Sequence, residues 1–231
     1  MFSTPQKLVA EFVGTFTLIF IGAGSICADH YLQASGQGGL GLLGIAAAHG
    51  LAIGLMVTAV GHVSGGHFNP AVTIAFWVTK KMGTIQSLLY WIAQLAGAVA
   101  AAYLLRYLIP DSVWTAVALG TPSLAPEFTR LPAILLEAAM TFLLVFVIFG
   151  VAADPKGAAK NVAGIAIGLT ITMDILLGGP FTGAAMNPAR AFGPALAIGH
   201  HWQNHGVYWV GPLIGGVLAG WLYNSLFLRE S

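Results

Sequence analysis

The sequence predicts an all-α membrane protein in which six transmembrane helices and two shorter re-entrant half-helices form an inverted tandem repeat. Three observations predict this fold: the composition, a duplicated motif and six long apolar segments. Of the 231 residues, 57% are hydrophobic and only 7% are charged, and the mean hydropathy is +0.83. Soluble domains carry about 25% charged residues. A chain with so few charges cannot cover a surface that faces water, so it is expected to cross a membrane several times.

The duplicated motif is an Asn-Pro-Ala triplet, called here the first and the second box. Asn69-Pro70-Ala71 and Asn187-Pro188-Ala189 lie 118 positions apart. The same offset aligns three further pairs: Gly50-Leu51 with Gly168-Leu169, Ser64-Gly65 with Thr182-Gly183, and Tyr90-Trp91 with Tyr208-Trp209. Two copies with matching flanks indicate a tandem repeat, whereas a lone Asn-Pro dipeptide indicates only a turn.

Six apolar segments have about the 20 residues that a transmembrane helix needs. Numbered span one to span six, they cover about 7–28, 40–61, 84–108, 131–152, 161–179 and 206–228. The segment before span two, 29–39, is rich in Gly, Ser and Gln and predicts a loop. The longest connection, 109–130, joins the two halves of the chain. We therefore expect a single domain over 1–231, with repeat one at 7–108 and repeat two at 131–228.

Each box predicts the start of a short helix, because Asn is a preferred N-cap and Pro a preferred first helical residue. The apolar segments that follow, 69–79 and 187–198, reach only about 16 Å, roughly half of the hydrocarbon core. Glycine-rich stretches precede both boxes and predict non-helical backbone. Such backbone is tolerated at membrane depth only where protein or a water-filled cavity satisfies it. The two half-helices therefore indicate a pore.

Positive charge predicts the orientation of the chain. One side of the membrane receives six cationic residues: Lys7, Lys80, Lys81, Lys156, Lys160 and Arg229. Only Arg106 and Arg130 lie near span ends on the other side. The positive-inside rule then puts both termini in the cytoplasm. With three spans per repeat, the second repeat is inverted, and both half-helix N-termini meet at the midplane, where their dipoles oppose cations.

The paired boxes, the starts Glu11-x-x-x-Thr15-Phe16 and Glu137-x-x-x-Thr141-Phe142, and the run Ser-Gly-Gly-His-Phe-Asn-Pro-Ala-Val-Thr at 64–73 resemble the aquaporin (major intrinsic protein) family. The resemblance covers about 5–227. It implies a passive water channel that excludes protons and ions, with one pore per subunit in a homotetramer. It also implies no enzymatic activity and no cofactor or metal. Water, small neutral solutes and the lipid bilayer are the expected partners, without nucleic acid.

The resemblance also assigns roles to individual residues. It implies an outer selectivity filter formed by His49, Ile175, Ala184 and Arg190. It implies further pore-lining positions at Gly65, Gly66, His67, Gly183, Ala185 and Met186. Glu11 and Glu137 are implied to support the loops before the boxes, and a proton relay is the alternative role for these two carboxylates. Asp174 receives no role.

The filter departs from that of water-selective members, which place an aromatic at the position of His49 and a histidine at that of Ile175. The set His/Ile/Ala/Arg resembles tonoplast intrinsic proteins, in which ammonia or urea can join water. Mainly urea or glycerol facilitation, a coupled transporter and a non-conducting structural membrane protein remain as alternatives. The expected location is a cell (plasma or inner) membrane. The histidines at 200, 201 and 205 predict a solvated external turn rather than a metal site.

Overall fold

The computed structural model describes residues 2–157 and 160–228, and over these residues the chain is helical with no β-strand. Arg229, counted above for orientation, lies outside this part. The six spans are long helices: Thr4–Ala34, Gly41–Ser64, Thr84–Leu108, Arg130–Ala153, Ala163–Thr182 and Val207–Leu226. Two short helices begin directly after the boxes: the first half-helix, Pro70–Val78, and the second half-helix, Pro188–Ile198.

Among the described residues, five helices are long and apolar enough to cross a membrane by length and composition. The sixth, Val207–Leu226, has 20 residues, the same length as span five. Its mean hydropathy is lower because it carries two tryptophans, two tyrosines and an asparagine. It packs along span four as span three packs along span one, so it takes the place of the third span of its repeat.

Two connections differ from the sequence-based expectation. Span one continues to Ala34, so the prediction of a loop over 29–39 is wrong for its first six residues. The cause is Asp29, whose carboxylate accepts the Gly41 backbone N–H at 2.8 Å and the Gln33 side-chain amide at 2.9 Å. These bonds join the last turns of span one to the start of span two. The connection 109–130 also contains a short helix, Asp111–Ala116.

Glycines allow the spans to approach each other closely. Gly97 in span three lies against the Phe12 carbonyl of span one, and Gly215 in span six lies against the Ala138 carbonyl of span four. A Cβ at either glycine would overlap that carbonyl. Lipid provides no hydrophobic drive between helices, so association depends on such close packing. These glycines thus form the close crossings of span three with span one and of span six with span four.

Each half-helix packs mainly against the third span of the other repeat. The first half-helix lies along span six, where Gly216 approaches Ala71, and the second lies along span three, where Gly193 approaches Ala98. Arg106 at the end of span three donates to the Ala197 carbonyl, in the last turn of the second half-helix. A cation is favourable at that end of a helix dipole. The exchange interlocks the repeats and brings both boxes to the centre of the bundle.

Candidate functional site

A narrow cavity of about 30 Å³ lies between the two repeats. A cavity needs about 10–15 Å³ to hold one water molecule, so this one has room for about two in file. Ten of the residues singled out from the sequence line it: His49, Gly66, His67, Asn69, Ile175, Ala184, Ala185, Met186, Asn187 and Arg190. Most of the remaining lining is aliphatic, including Leu18, Ile53 and Val72. The lining of the cavity therefore combines a few polar side chains with many aliphatic ones.

Two wider cavities lie near the narrow one. On the side of the connection 109–130, a cavity of about 400 Å³ is lined by Gly183 and by Arg190, which also lines the narrow part. On the opposite side, Gly65 and His62 line a cavity of about 440 Å³. Gly65 and Gly183 were both predicted to line the pore. Neither glycine lines the narrow cavity, and each lines one of the two wider cavities.

The two box asparagines hold the loops of both repeats together. Each Oδ1 caps its own half-helix: Asn69 accepts the Ala71 N–H at 2.8 Å, and Asn187 accepts the Ala189 N–H at 3.0 Å. Each Nδ2 donates across the repeat boundary, from Asn69 to the Met186 carbonyl at 2.8 Å and from Asn187 to the Phe68 carbonyl at 3.0 Å. An amide nitrogen carries two hydrogens, so one on each asparagine remains available to the cavity.

The loops before the boxes adopt backbone conformations that ordinary residues avoid. Phe68 and Met186 have φ angles of 50° and 49°, and Ala184 has a φ of 43°. A non-glycine residue held in this left-handed region costs on the order of 1–3 kcal/mol. Phe68 and Met186 are equivalent positions of the repeat, and their carbonyls are the ones that accept the box amides. The two strained residues therefore supply the carbonyls that join the two boxes.

Glu11 accepts four hydrogen bonds beneath the first of these loops. Its Oε1 accepts the Ser64 hydroxyl at 2.6 Å and the His67 N–H at 3.0 Å. Its Oε2 accepts the Phe68 N–H at 2.7 Å and the Gln94 side-chain amide at 2.8 Å. The carboxylate is fully buried and does not line the narrow cavity. All four partners are donors, which matches an ionised carboxylate that only accepts.

Glu137 repeats this pattern beneath the second loop. Its Oε1 accepts the Thr182 hydroxyl at 2.7 Å and the Ala185 N–H at 2.9 Å, and its Oε2 accepts the Met186 N–H at 2.7 Å. It too is fully buried and does not line the cavity. Among the described residues, the bond from Gln94 to Glu11 is the one that has no equivalent at Glu137. Sequence reasoning missed Gln94, although a glutamine in the middle of an apolar span was a signal for it.

The four filter positions all line the narrow cavity, and Arg190 also lines the wide cavity near the connection 109–130. They are all buried: His49 and Arg190 are 3% exposed, Ile175 is 4% and Ala184 is 2%. His49 Nδ1 lies 2.8 Å from the Ile45 carbonyl, which can only accept, so Nδ1 carries the hydrogen and Nε2 is an acceptor. His49 and Arg190 thus bring polar groups to the cavity, whereas Ile175 and Ala184 contribute apolar surface.

Arg190 is fixed by a residue that sequence reasoning did not identify. Its Nη1 donates to the Gly120 carbonyl at 2.8 Å, whereas its buried Nε has no partner among the described residues. Gly120 ends a left-handed turn in which the φ angles of Ala118, Leu119 and Gly120 are 48°, 52° and 68°. The signal in the sequence was a glycine within the connection, where such a turn favours one.

The external histidines do not converge on a metal site in the part of the chain that the structure describes. His205 Nε2 accepts the Trp209 indole N–H at 3.1 Å. Partial burial lowers the pKa of His205, which keeps its ring neutral and able to accept this bond. Asp174 is 2% exposed and does not line the cavity, and its Oδ2 has no hydrogen-bond partner in the described part of the chain.

Comparison with known proteins agrees with this geometry. The family model described as Major intrinsic protein matches residues 2–223. The chain is 43% identical to Aquaporin TIP2-1 of Arabidopsis thaliana over 230 residues, which cover 98% of this chain and 89% of that protein. It is 44% identical to Aquaporin TIP4-4 of Zea mays, covering 97% and 88% of the two chains. The structure of the aquaglyceroporin from Plasmodium falciparum has the same fold, with a TM-score of 0.82, 24% identity and 97% of each chain covered.

Proposed function

This chain belongs to the major intrinsic protein family, and we propose that its water pore also passes small neutral solutes such as ammonia. It is a multi-pass integral membrane protein and a channel for water, not an enzyme. One observation above all supports the wider solute range: the lining of the buried cavity combines the polar His49 and Arg190 with the apolar Ile175 and the small Ala184. Small neutral molecules need only a few hydrogen bonds there.

Exclusion of protons and ions follows, on this proposal, from charge at two depths. Each half-helix begins at the centre of the bundle and carries about half a positive charge at its N-terminus. Arg190 adds a full charge at the narrow cavity. A cation that enters must lose its water shell and approach like charges in a confined path, whereas a neutral solute meets only hydrogen-bonding groups.

Stopped-flow light scattering on proteoliposomes tests the proposal. One preparation is compared for water, ammonia, urea and glycerol against empty liposomes. We expect fast water flux, measurable ammonia flux, weak urea flux and little glycerol flux. Water flux without ammonia flux would contradict the wider solute range. Flux that requires an ion gradient would indicate a coupled transporter, but neither Glu11 nor Glu137 lines the narrow cavity to bind a coupling ion.

The filter assignment predicts how selectivity changes. In the double variant His49→Phe with Ile175→His, the lining of the narrow cavity gains a bulky ring and a donor. We expect ammonia and urea fluxes to fall by about tenfold and water flux by less than about threefold, because lost width affects the larger solutes most. Flux assays on equal amounts of folded protein measure this.

A matched control carries the same kinds of change away from the path. Leu51→Phe with Leu169→His alters two exposed positions of spans two and five that do not line the narrow cavity. It should leave all solute ratios as in the wild type. If the filter variant and this control have the same ammonia-to-water ratio, the four residues do not form the filter, although the chain remains a water channel.

The same proposal includes the assembly and the placement of the chain. We propose one domain with repeats at 7–108 and 131–228 joined by 109–130, both termini in the cytoplasm, and a homotetramer. Side-specific labelling of the termini and the mass of the detergent-solubilised protein test these points. The proposed location is the cell (plasma or inner) membrane. The alternative is a vacuolar membrane, which the resemblance to tonoplast intrinsic proteins favours. Fractionation of the source membranes decides between the two.

A further inference from the structure

A chain of hydrogen bonds leads from Glu11 to the ring of His67. Gln94 Nε2 donates to Glu11 Oε2 at 2.8 Å and to Thr73 Oγ1 at 3.0 Å. Thr73 Oγ1 donates to the Asn69 carbonyl at 3.1 Å and lies 3.1 Å from His67 Nδ1. Gln94 and Thr73 are fully buried, and His67 lines the narrow cavity. We propose that Gln94 and Thr73 are positioning residues that hold His67 in its Nδ1–H tautomer, so that Nε2 presents a hydrogen-bond acceptor to the pore.

The first step of the argument fixes the amide of Gln94. Glu11 receives four donors and can offer none when ionised. The Gln94 atom that faces Glu11 must therefore be the nitrogen, because the amide oxygen would oppose another acceptor. The other hydrogen of the same nitrogen is directed to Thr73. Gln94 Oε1 is buried and has no partner among the residues that the structure describes. The carboxylate of Glu11 therefore sets the orientation of the amide.

The second step fixes the hydroxyl of Thr73. A hydroxyl has one hydrogen and two acceptor positions. The Asn69 carbonyl can only accept, so it takes the hydrogen, and the Gln94 amide fills one acceptor position. The remaining contact of Thr73 Oγ1, with His67 Nδ1, must be one in which the ring nitrogen donates. The hydrogen of a neutral His67 is then on Nδ1, and Nε2 has a free lone pair.

The third step places Nε2 at the path. Nδ1 is the only ring nitrogen of His67 with a hydrogen-bond partner among the described residues. Nε2 lies beside Gly65, where an added Cβ would be 3.3 Å away, and Gly65 lines the wide cavity opposite the connection 109–130. A solute that passes between that cavity and the boxes thus meets an acceptor. Water that accepts from the Asn69 amide has its own hydrogens to donate, and an acceptor at Nε2 matches them.

This chain of bonds occurs in the first repeat alone. At the offset of 118, Gln94, Thr73 and His67 correspond to Pro212, Ala191 and Ala185. The second repeat builds the same strained loop, box and half-helix without them. The bonds are therefore not needed to form that scaffold, which favours a role for them in the pore.

The test is ¹⁵N solid-state NMR of histidine-labelled protein in lipid bilayers, with the His67 signals assigned by their loss in His67→Asn. We expect a protonated Nδ1 and an unprotonated Nε2 at neutral pH. In Thr73→Val, Nδ1–H loses its acceptor, and the ratio of the Nδ1–H to the Nε2–H tautomer should fall about tenfold. Thr73→Ser keeps the hydroxyl and should restore the wild-type ratio. Gln94→Leu should lower the ratio less than Thr73→Val does, because the Asn69 carbonyl still accepts the Thr73 hydroxyl hydrogen.

An Nε2–H tautomer or an equal mixture in the wild-type protein would overturn the proposal, even if the variants fail to fold. So would an unchanged ratio in folded Thr73→Val. The tautomer of His67 does not depend on the proposed pore, but the role of Nε2 as an acceptor for passing water does. Water flux on the same liposomes tests the pore separately from the tautomer. Absent flux with an Nδ1–H ring would contradict the pore but support the tautomer. With both intact, water flux per channel in Thr73→Val should fall about two- to fivefold.

Discussion

Liposomes that contain the Arg190→Val variant should leak protons about ten- to a hundredfold faster than wild-type liposomes, with water flux within about twofold of the wild-type value. A fixed unit charge within about 4–8 Å of a like charge raises its energy by roughly 2–4 kcal/mol at an effective dielectric constant of about 20. Each 1.36 kcal/mol is about tenfold in rate. Arg190 supplies such a charge at the narrow cavity, and the half-helix dipoles that remain keep part of the barrier.

The variant should fold, because the side chain of Arg190 contributes little to the stability of the protein. It lies in the first turn of the second half-helix, where the positive end of the dipole disfavours a cation. Its one side-chain bond goes to the Gly120 carbonyl, which borders the wide cavity and has access to water once the arginine is gone. The fluorescence of a pH-sensitive dye inside the liposomes measures the leak after an imposed pH step.

The control is Arg130→Val, which removes an exposed cation at the start of span four that bonds only to Asn204 and Gln203. It should hold the pH gradient as the wild-type protein does. If folded Arg190→Val holds the gradient equally well, the dipoles alone form the barrier and Arg190 is not needed for it.

The half-helices were predictable because their signals are local. Asn at the N-cap and Pro at the first helical position specify a helix start, and the structure has the two starts at Pro70 and Pro188. The predicted ends, 79 and 198, are within one residue of the observed ones. The inverted orientation of the second repeat followed from the odd number of spans in each repeat, which is also a property of the sequence.

The contacts that complete the site were not predictable in the same way, because they join distant positions. Gly120 and Arg190 are 70 residues apart and meet through a left-handed turn that no Asn or Asp marks. Gln94 and Glu11 are 83 residues apart, on helices whose relative rotation only the packed structure defines. The extension of span one to Ala34 likewise depends on one bond, between Asp29 and the Gly41 N–H.

The second large effect is expected for the carboxylates beneath the loops, where Glu137→Leu should prevent folding or lower stability by several kcal/mol. The substitution leaves the Thr182 hydroxyl and the Ala185 and Met186 N–H groups without their acceptor. A buried unsatisfied donor costs about 1–3 kcal/mol. The loop also loses the bonds that hold Met186 in its strained conformation. Whole proteins are stable by only about 5–15 kcal/mol, so the loss is large.

Glu137→Gln separates support of the loop from a proton relay. Both carboxylate oxygens accept, and glutamine replaces one of them by an amide that donates, so we expect a loss of stability between those of the wild type and Glu137→Leu. Thermal unfolding and flux per folded channel are measured together, with Glu127→Leu as the control at an exposed carboxylate of the connection. A relay predicts the reverse: wild-type stability in both variants and equal loss of function. Glu137 lies outside the lining of the cavity with every oxygen already occupied by a donor, so stability should change first and in the order Glu, Gln, Leu.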